Sequence, residues 1–484
     1  MGKLSSPNDL PFQILLGCSL GSVFGIASRW ISPLVLFGIL IAVVFIYAAL
    51  KRPGLALLGI LIATSSIIFE EQLPILSMGG ISLHIPDLFL LSLLGLIVLR
   101  WLVKPGFKIM RTPLDWPLLI FLGITLLSTF IAIFQSSVDS IEARRAVRAM
   151  AYFLTFFVVT NLVRERRQLN LLLNGLFLLA TIVAVAMVVQ FLLGSSVTLL
   201  PGRVEGLRTQ NEIFGDITRI LPPGFPIILV SFISIFCILV LNNSKSRRSV
   251  NILQCILMGI ALLFTFLRSY WAVLIIVFIL LALIVRAHER QRLIGWSLVV
   301  MCLLAFVLIP VFISRESGIR RLVNASFSRL ATLWSPKTLT EGSLQGRYVE
   351  AEYAIPQIIS HPFLGLGLGA QYRPFDSRID LRGTKSDFRG YIHNGHLWIL
   401  LDTGLLGYLA FIWLSIAFLS RGFRYWRSIA DDRMRGIMLG FTLTYLSVLI
   451  AALVNPTFTE WKWTPVIGIM MGINEAILRK FQMK

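Results

Sequence analysis

Six arginine and histidine residues have side chains that could bind anions or move protons. Arg347 begins the segment RYVEAEYAIPQIISHPFLGLGLGA, and His393 begins HNGHLWILLDTGLLG. The planar guanidinium of arginine can bond a phosphate through two N–H groups. Histidine, with an unperturbed pKa of about 6.5, can accept a proton at neutral pH. The six residues are Arg203, Arg208, Arg268, Arg347, His393 and His396.

Apolar helices must position these residues, because the composition is that of a membrane protein. The 484 residues are 56% hydrophobic and only 14% charged, whereas soluble proteins are about 25% charged. Apolar runs of about 20 residues recur along the chain, as spanning helices require. The sequence therefore predicts an all-α polytopic membrane protein and excludes disordered chains, secreted disulfide scaffolds and cytosolic enzymes. The four cysteines all fall in apolar runs, so neither a disulfide framework nor a metal site is expected.

Hydropathy over windows of about 19 residues predicts about fourteen spans. These divide the chain into an N-terminal membrane domain of about eleven spans (1–313), an extramembrane loop subdomain (314–392) and about three C-terminal spans (393–484). No cleavable signal is evident, so the first helix is expected to remain as an anchor. The predicted spans are 11–28, 31–50, 54–70, 86–103, 116–136, 146–163, 169–193, 224–241, 251–267, 269–286, 294–313, 394–420, 435–454 and 464–478.

The distribution of basic residues predicts the orientation, because Lys and Arg in short loops are retained on the cytoplasmic side. Of the 44 Lys and Arg residues, 24 fall in one alternating set of loops and termini. The opposite set holds 20, but 11 of these lie in the long segment 314–392, to which the rule does not apply. Both termini are therefore predicted inside, and segment 314–392 and all six candidate residues outside. The alternative for each arginine is that it reaches lipid headgroups from the membrane border.

The His-Asn motif resembles a known family. His393 and Asn394 are followed, after nine residues, by Gly404 and Gly407, which is the pattern of the O-antigen ligase and polymerase family. Arg347 and the HPFLGLGLG turn (361–369) also stand where that family has them. The resemblance covers roughly residues 200–420 and implies a fold like that of the C-type membrane glycosyltransferases. Ligases usually have Thr where Tyr408 stands here, which weakens the assignment to ligase over polymerase.

The resemblance implies transfer of a glycan from undecaprenyl diphosphate to a sugar hydroxyl, without metal or cofactor. The acceptor is a lipid A core for a ligase and another lipid-linked glycan for a polymerase. The site would face the periplasm, at the bacterial inner membrane. The resemblance makes His393 the candidate base and Arg347 and Arg268 the candidate clamps on the diphosphate. Arg203, in GRVEGLRTQNEIFG, matches the family less closely. The expected substrate-binding residues are Arg203, Arg208, Asn394 and His396.

Three further features of this region bear on other chemistry. His396 lies three positions beyond His393, on a neighbouring helical face, but no Cys, Asp or Glu is spaced to complete a metal site. Asp402 would lie about 13 Å deeper than His393, and is expected to orient a neighbouring helix or line the acceptor cavity. The glycines of the HPFLGLGLG turn lack the strand-turn-helix context of a nucleotide site, and are expected to let the loop fold tightly against the membrane surface.

Two other functions stay open as alternatives. A flippase or exporter of lipid-linked sugars has a similar number of spans, but transporters usually show two repeated halves and broken helices at the midplane. A metal-dependent glycosyltransferase that uses a polyprenyl monophosphate sugar commonly has acidic residues in its first outer loop. Here that loop is little more than residues 28–30, Ser-Arg-Trp. Both alternatives are therefore less favoured than the transferase that the motif implies.

Overall fold

The computed structural model describes residues 52–64, 76–78, 81–208, 213–242, 247–313, 342–379 and 389–481. Two predicted spans, 11–28 and 31–50, lie outside these residues, and so does most of the first half of segment 314–392. The described helices are α1 (Pro53–Thr64), α2 (Ile85–Val103), α3 (Asp115–Phe134), α4 (Ser140–Ala151), α5 (Thr155–Leu162), α6 (Arg166–Leu193), α7 (Phe225–Leu241), α8 (Arg248–Phe264), α9 (Arg268–Ile284), α10 (Ala287–Ile313), α11 (Gly342–Ser360), α12 (Gly395–Tyr425), α13 (Asp432–Ala451) and α14 (Thr464–Phe481).

Two short antiparallel hairpins accompany these helices. The first pairs β1 (Leu76–Met78) with β2 (Ile81–Leu83), and the second pairs β3 (Arg203–Arg208) with β4 (Ile213–Leu221). The register of the second hairpin shifts between Gly206 and Leu207. The second hairpin joins α6 to α7 and was not predicted from hydropathy, because its strands alternate polar and apolar residues and do not form an apolar run.

Hydropathy identified most of the helices well. Five described helices are long and apolar enough to cross a membrane, namely α2, α3, α6, α12 with its continuation to Ser428, and α13. Four shorter apolar helices are α1, α7, α8 and α9. The predicted span 146–163 is instead two helices, α4 and α5, joined by a 3-10 turn at Tyr152–Leu154. A helical membrane protein is confirmed in outline, and the number of fourteen spans and the three-domain division stay predictions.

The core is built around α7, which is buried along its whole length. Helix α13 packs closely against it because Gly436 and Gly440, four residues apart, present no side chain at the contact. A Cβ at Gly440 would lie 2.5 Å from Cα of Ser234, and one at Gly436 would lie 2.9 Å from Cα of Ile238. This spacing of small residues lets two membrane helices approach to backbone contact. It fixes α13 and therefore the loop that follows it.

A break in α12 explains the glycines of the His-Asn motif. Gly404 has φ 62° and ψ −169°, which interrupts the helix nine residues after Gly395. The HPFLGLGLG turn occupies the break: Leu405 N–H donates to the carbonyl of Pro362 at 2.7 Å, and Gly367 N–H donates to the carbonyl of Asp402 at 2.9 Å. A Cβ at Gly404 would lie 2.3 Å from the backbone of Phe363. The turn that follows α11 is thus held by backbone hydrogen bonds to the helix that follows His393.

Candidate active site

A cleft of about 570 Å³ lies where α7, α9 and α11 meet the loops before α12 and after α13. Four of the residues identified from the sequence line it together: Arg203, Arg268, Arg347 and His393. They come from four separate parts of the chain, namely β3, the start of α9, the first half of α11 and the loop before α12. The fold therefore assembles residues that are up to 190 positions apart in the sequence.

His393 is held by a buried carboxylate. Its Nδ1 lies 2.7 Å from Oε1 of Glu350, and its backbone N–H donates to Oε2 of the same carboxylate at 2.9 Å. Glu350 is buried, and its side chain is only 6% exposed, whereas that of His393 is 44% exposed. A carboxylate accepts hydrogen bonds, so the proton of a neutral His393 belongs on Nδ1. Nε2 then carries the lone pair that could accept a proton.

The loop and the helix start around His393 are also fixed. The side chain of Asn394 caps α12, with Oδ1 accepting from the N–H of Leu397 at 3.0 Å. Gly395 N–H donates to the carbonyl of Ala452 at 2.7 Å, and a Cβ at Gly395 would lie 3.0 Å from the carbonyl oxygen of Asn455. The sequence His-Asn-Gly therefore positions the imidazole, caps the helix and allows the close approach of the loop after α13.

Tyr391 packs beside the imidazole. Its ring meets that of His393 edge-on, with 4.9 Å between ring centroids. Burial raises the pKa of the Tyr391 phenol, and the nearby carboxylates of Glu460 and Glu350 raise it further, against the opposing effect of Arg347 and Arg203. Tyr391 is therefore a neutral side chain at physiological pH that restricts the imidazole on one side.

Arg347 lies on α11 one turn before Glu350. Its Nη2 donates to the carbonyl of Val454 at 3.1 Å, while Nε is buried and no described residue accepts a hydrogen bond from it. Burial lowers the pKa of the Arg347 guanidinium; Glu350 and Tyr391 raise it, and the nearby Arg268 lowers it. The guanidinium thus has a neutral carbonyl as its hydrogen-bond acceptor, and its charged neighbours are the Glu350 carboxylate and the Arg268 guanidinium. Such a guanidinium can bind an anion through its remaining N–H groups.

Arg268 reaches the cleft because the chain turns sharply between α8 and α9. Phe266 adopts a φ of 50°, and α9 begins two residues later at Arg268. The adjacent Ser269 accepts a hydrogen bond on its Oγ from Nδ2 of Asn455 at 3.1 Å. This contact ties the start of α9 to the loop between α13 and α14, which forms the opposite wall of the cleft.

The second hairpin contributes two further arginines that share one carboxylate. Nε of Arg203 lies 2.8 Å from Oε1 of Glu205, and Nη1 of Arg219 lies 3.5 Å from the same oxygen. Nε of Arg219 also donates to the carbonyl of Thr265 at 3.2 Å. Arg203 is 59% exposed on its side chain. Glu205 therefore compensates one of the two positive charges of this pair, whereas Arg347 donates to a neutral carbonyl.

The residues that line the cleft carry a net positive charge. Among the described residues that line it, five side chains are basic and one is acidic. The basic ones are Arg203, Arg219, Arg268, Arg347 and Lys462, and the acidic one is Glu460. Lys462 and Glu460 form an ion pair at 3.1 Å. The net positive charge fits a polyanionic group such as a phosphate or diphosphate.

Three residues highlighted by the sequence lie outside the cleft lining. His396 points to α13, with Nε2 2.9 Å from the carbonyl of Leu449 and Nδ1 3.3 Å from the hydroxyl of Tyr408. Asp402 is buried, and its side chain bonds to Trp398. Asn394 caps α12, as described above. The strand residue Arg208 ends β3, and its side chain lies outside the described residues.

The sequence did not identify Glu350, Tyr391, Arg219, Glu460 and Lys462 as parts of this site. Glu350 had a usable signal, because it lies three residues after Arg347 and therefore on the same side of a helix. Glu352 lies five residues after Arg347 and therefore on a different face of the helix, where it is exposed and paired with Arg378.

Residues 253–412 match the family model described as O-antigen ligase. The match spans 160 of the 484 residues, about a third of the chain, and it confirms the resemblance found in the motif. The matched segment includes Arg268, Arg347, Glu350 and His393, whereas Arg203, Arg219, Glu460 and Lys462 lie outside it. No curated protein matches the chain.

Proposed function

We propose that this protein transfers a glycan from undecaprenyl diphosphate to a sugar hydroxyl of a lipid A core, as an O-antigen ligase. The observation that carries the proposal is that one cleft contains His393, which is hydrogen-bonded to the Glu350 carboxylate, together with Arg268 and Arg347. The family match supports an O-antigen ligase or polymerase type of enzyme. The specific donor and acceptor are part of the proposal.

In the proposed reaction His393 is the general base. Nε2 takes the proton of the acceptor hydroxyl as its oxygen attacks the anomeric carbon of the donor sugar. Glu350 holds Nδ1 at 2.7 Å, so it keeps the reactive tautomer and stabilises the imidazolium that forms. Positioned proton transfer of this kind typically accelerates a reaction by about 100- to 10,000-fold.

The arginines act on the leaving group. As the new bond forms, the bond between the anomeric carbon and the phosphate oxygen breaks, and undecaprenyl diphosphate leaves with that electron pair. The developing charge lies on phosphate oxygens, which guanidinium groups can bond in pairs. Arg347 and Arg268 are assigned this role. Arg203, bound to Glu205, is assigned to donor attraction and support, together with Arg208.

Asn394 and His396 are assigned supporting positions. Asn394 caps the helix that follows the base, and His396 joins α12 to α13 through the carbonyl of Leu449. No step of the proposed reaction needs a metal or a cofactor, since the proton goes to a histidine and the phosphate charge to arginines. Activity that persists in excess EDTA would support this assignment, and loss of activity that added metal restores would contradict it.

The cleft is proposed to face the periplasm from the inner membrane, with both termini cytoplasmic. Cysteine labelling with a membrane-impermeant reagent tests this, in a background without the native cysteines. In intact spheroplasts a cysteine at position 347 should be labelled, and cysteines at positions 290 and 427 should be labelled only after lysis. Labelling at position 427 but not at position 347 would contradict the proposed orientation and indicate the opposite one.

Polymerase activity is the second candidate, favoured by Tyr408 in place of the threonine usual in ligases. The donor and the reaction are the same, and only the acceptor differs. Glycan analysis of a deletion strain separates the two functions. Full-length chains left on undecaprenyl diphosphate would indicate a ligase, whereas a single repeat on the core would indicate a polymerase. A strain that accumulates lipid-linked repeats on the cytoplasmic face would indicate a transporter instead.

A further inference from the structure

A second cavity, of about 760 Å³, lies at the other end of the helices that form the cleft. Helix α7 connects the two: Phe225, its first residue, lines the cleft, and Asn242, just after its last residue, lines the second cavity. Seventeen helical residues at 1.5 Å each separate the two sites by about 25 Å. The second cavity, here called the distal cavity, is therefore independent of the proposed catalytic site.

Two arginines in the distal cavity converge on one neutral oxygen. Nη2 of Arg433 donates to Oδ1 of Asn174 at 2.6 Å, and Nη1 of Arg247 donates to the same Oδ1 at 3.4 Å. Nη1 of Arg433 also donates to Oδ1 of Asn170 at 3.3 Å. A carboxamide carries no charge, so these contacts satisfy hydrogen bonds without compensating the two guanidinium charges.

The carboxylates that line the distal cavity are engaged elsewhere. Asp431 caps α13 through the N–H groups of Arg433 and Met434 and pairs with Arg166 at 2.6 Å. Asp432 pairs with Arg435 at 2.9 Å. Neither carboxylate forms a salt bridge with the side chain of Arg433 or Arg247 in the part of the chain that the structure describes. The lining of the distal cavity thus carries a net positive charge, and two of its arginines, Arg247 and Arg433, share one neutral acceptor.

The rest of the lining suits a ligand with an apolar part. Phe177, Val250 and Met434 border the same cavity as the arginines, and Val250 is 53% exposed at its edge. The cavity is much larger than a phosphate ion, so a phosphate bound by the arginines would leave room for attached groups. It also lies at the ends of apolar helices, which is the level at which lipid headgroups lie.

We propose that the distal cavity binds the phosphate of an anionic membrane lipid between Arg247 and Arg433. Guanidinium groups bond phosphate oxygens in pairs, and basic pockets between membrane helices bind lipid phosphates. The acyl part of the lipid would extend past Val250 into the membrane. Lipid binding in the distal cavity depends neither on the proposed transferase activity nor on a particular orientation of the chain.

The test measures thermal unfolding of the purified full-length protein in a neutral detergent. Phosphatidylglycerol should raise the unfolding temperature in a saturable way, and phosphatidylcholine should not. Each arginine contributes about fivefold to affinity for anionic lipid. The double variant Arg247→Gln, Arg433→Gln should therefore bind phosphatidylglycerol roughly 30-fold more weakly. Arg424→Gln is the matched control, because Arg424 is exposed, stacks on Tyr425 and lies outside the cavity; it should respond like the wild type.

A second variant covers the case in which the double variant does not fold. Asn174→Asp keeps both arginines and places a carboxylate between them, so it should stabilise the free protein and suppress the response to phosphatidylglycerol. Equal responses in wild type, double variant and Asn174→Asp would overturn the proposal. The wild type could instead respond to inorganic pyrophosphate and not to phosphatidylglycerol, with the response lost in the double variant. That result would overturn the proposal of a lipid ligand and would indicate a soluble phosphate compound.

Discussion

The Glu350 carboxylate and His393 are joined through two hydrogen bonds, one to the backbone N–H at 2.9 Å and one to the imidazole Nδ1 at 2.7 Å. Glu350 belongs to α11, in the long loop segment, and His393 precedes α12, in the C-terminal helices. The same two parts of the chain are joined again at Gly404, where the HPFLGLGLG turn occupies the break in α12. The position of the proposed base therefore depends on how the loop segment packs on α12.

Replacing Glu350 tests its positioning role. Glu350→Gln keeps the size of the side chain but removes its charge, and can present an N–H group to Nδ1 in place of an acceptor. We expect kcat to fall by at least about tenfold, but by less than the full contribution of a general base, which is about 100- to 10,000-fold, with KM for the donor little changed. Glu352→Gln is the matched control because Glu352 is exposed and paired with Arg378. Equal rates in the two variants would remove Glu350 from the mechanism.

Arg347 should not tolerate lysine. The carbonyl of Val454 and the buried Nε define a fork that lysine cannot reproduce, and burial already lowers the pKa of the arginine. A lysine placed there would lose its proton more readily. Arg347→Lys and Arg347→Ala should both lose most activity.

Arg268→Ala should have a different effect. If Arg268 contacts the diphosphate in the ground state, this variant should mainly raise KM for the donor.

Arg144→Ala is the control for these arginine variants, because Arg144 is exposed on α4 and outside the cleft. It should keep near wild-type kinetics. Full activity in Arg347→Lys would instead show that position 347 needs only a positive charge.

Gly404 should be intolerant of any side chain. Its φ of 62° and the 2.3 Å approach of an added Cβ to Phe363 predict that Gly404→Ala expels the HPFLGLGLG turn from α12. We expect a loss of more than about 1 kcal/mol in the free energy of unfolding, with lower activity. Gly123→Ala is the control, since nothing lies within 4 Å of its added Cβ and alanine favours a helix by about 1 kcal/mol. Equal unfolding temperatures for the two variants would contradict this role of Gly404.

Much of the helical framework could be predicted because apolar runs are a local property of the sequence. The bounds of α2, α7 and α9 agree with the predicted spans to within about two residues. The predicted span 146–163 falls on α4 and α5, which are joined by a 3-10 turn at Tyr152–Leu154. Helix α4 has the sequence SIEARRAVRAMA (140–151), begins six residues before the predicted span and carries charge on one face.

The site was predictable only where a motif marks it. His393 and Arg347 could be named from a combined pattern of types and spacing, and the structure places both in one cleft with Arg268. The spacing of three residues places Glu350 on the same side of a helix as Arg347, but the burial of Glu350 and its contact with His393 depend on how α11 packs and could not be predicted. Lys462 and Glu460 enter the cleft through the loop after α13, and the path of that loop follows from the packing of Gly436 and Gly440 against α7, which is a long-range contact.

The most direct measurement is turnover by the purified protein in vesicles, with undecaprenyl diphosphate-linked glycan as donor and a lipid A core as acceptor. Glycan joined to the acceptor and released undecaprenyl diphosphate should appear in equal amounts, without any gradient across the membrane. His393→Ala, at equal abundance and with saturating donor, should be slower by about 100- to 10,000-fold. Wild-type turnover in His393→Ala would contradict the role of the histidine as base. The absence of product from the wild type, with a lipid A core and also with a lipid-linked glycan as acceptor, would contradict the transferase activity itself.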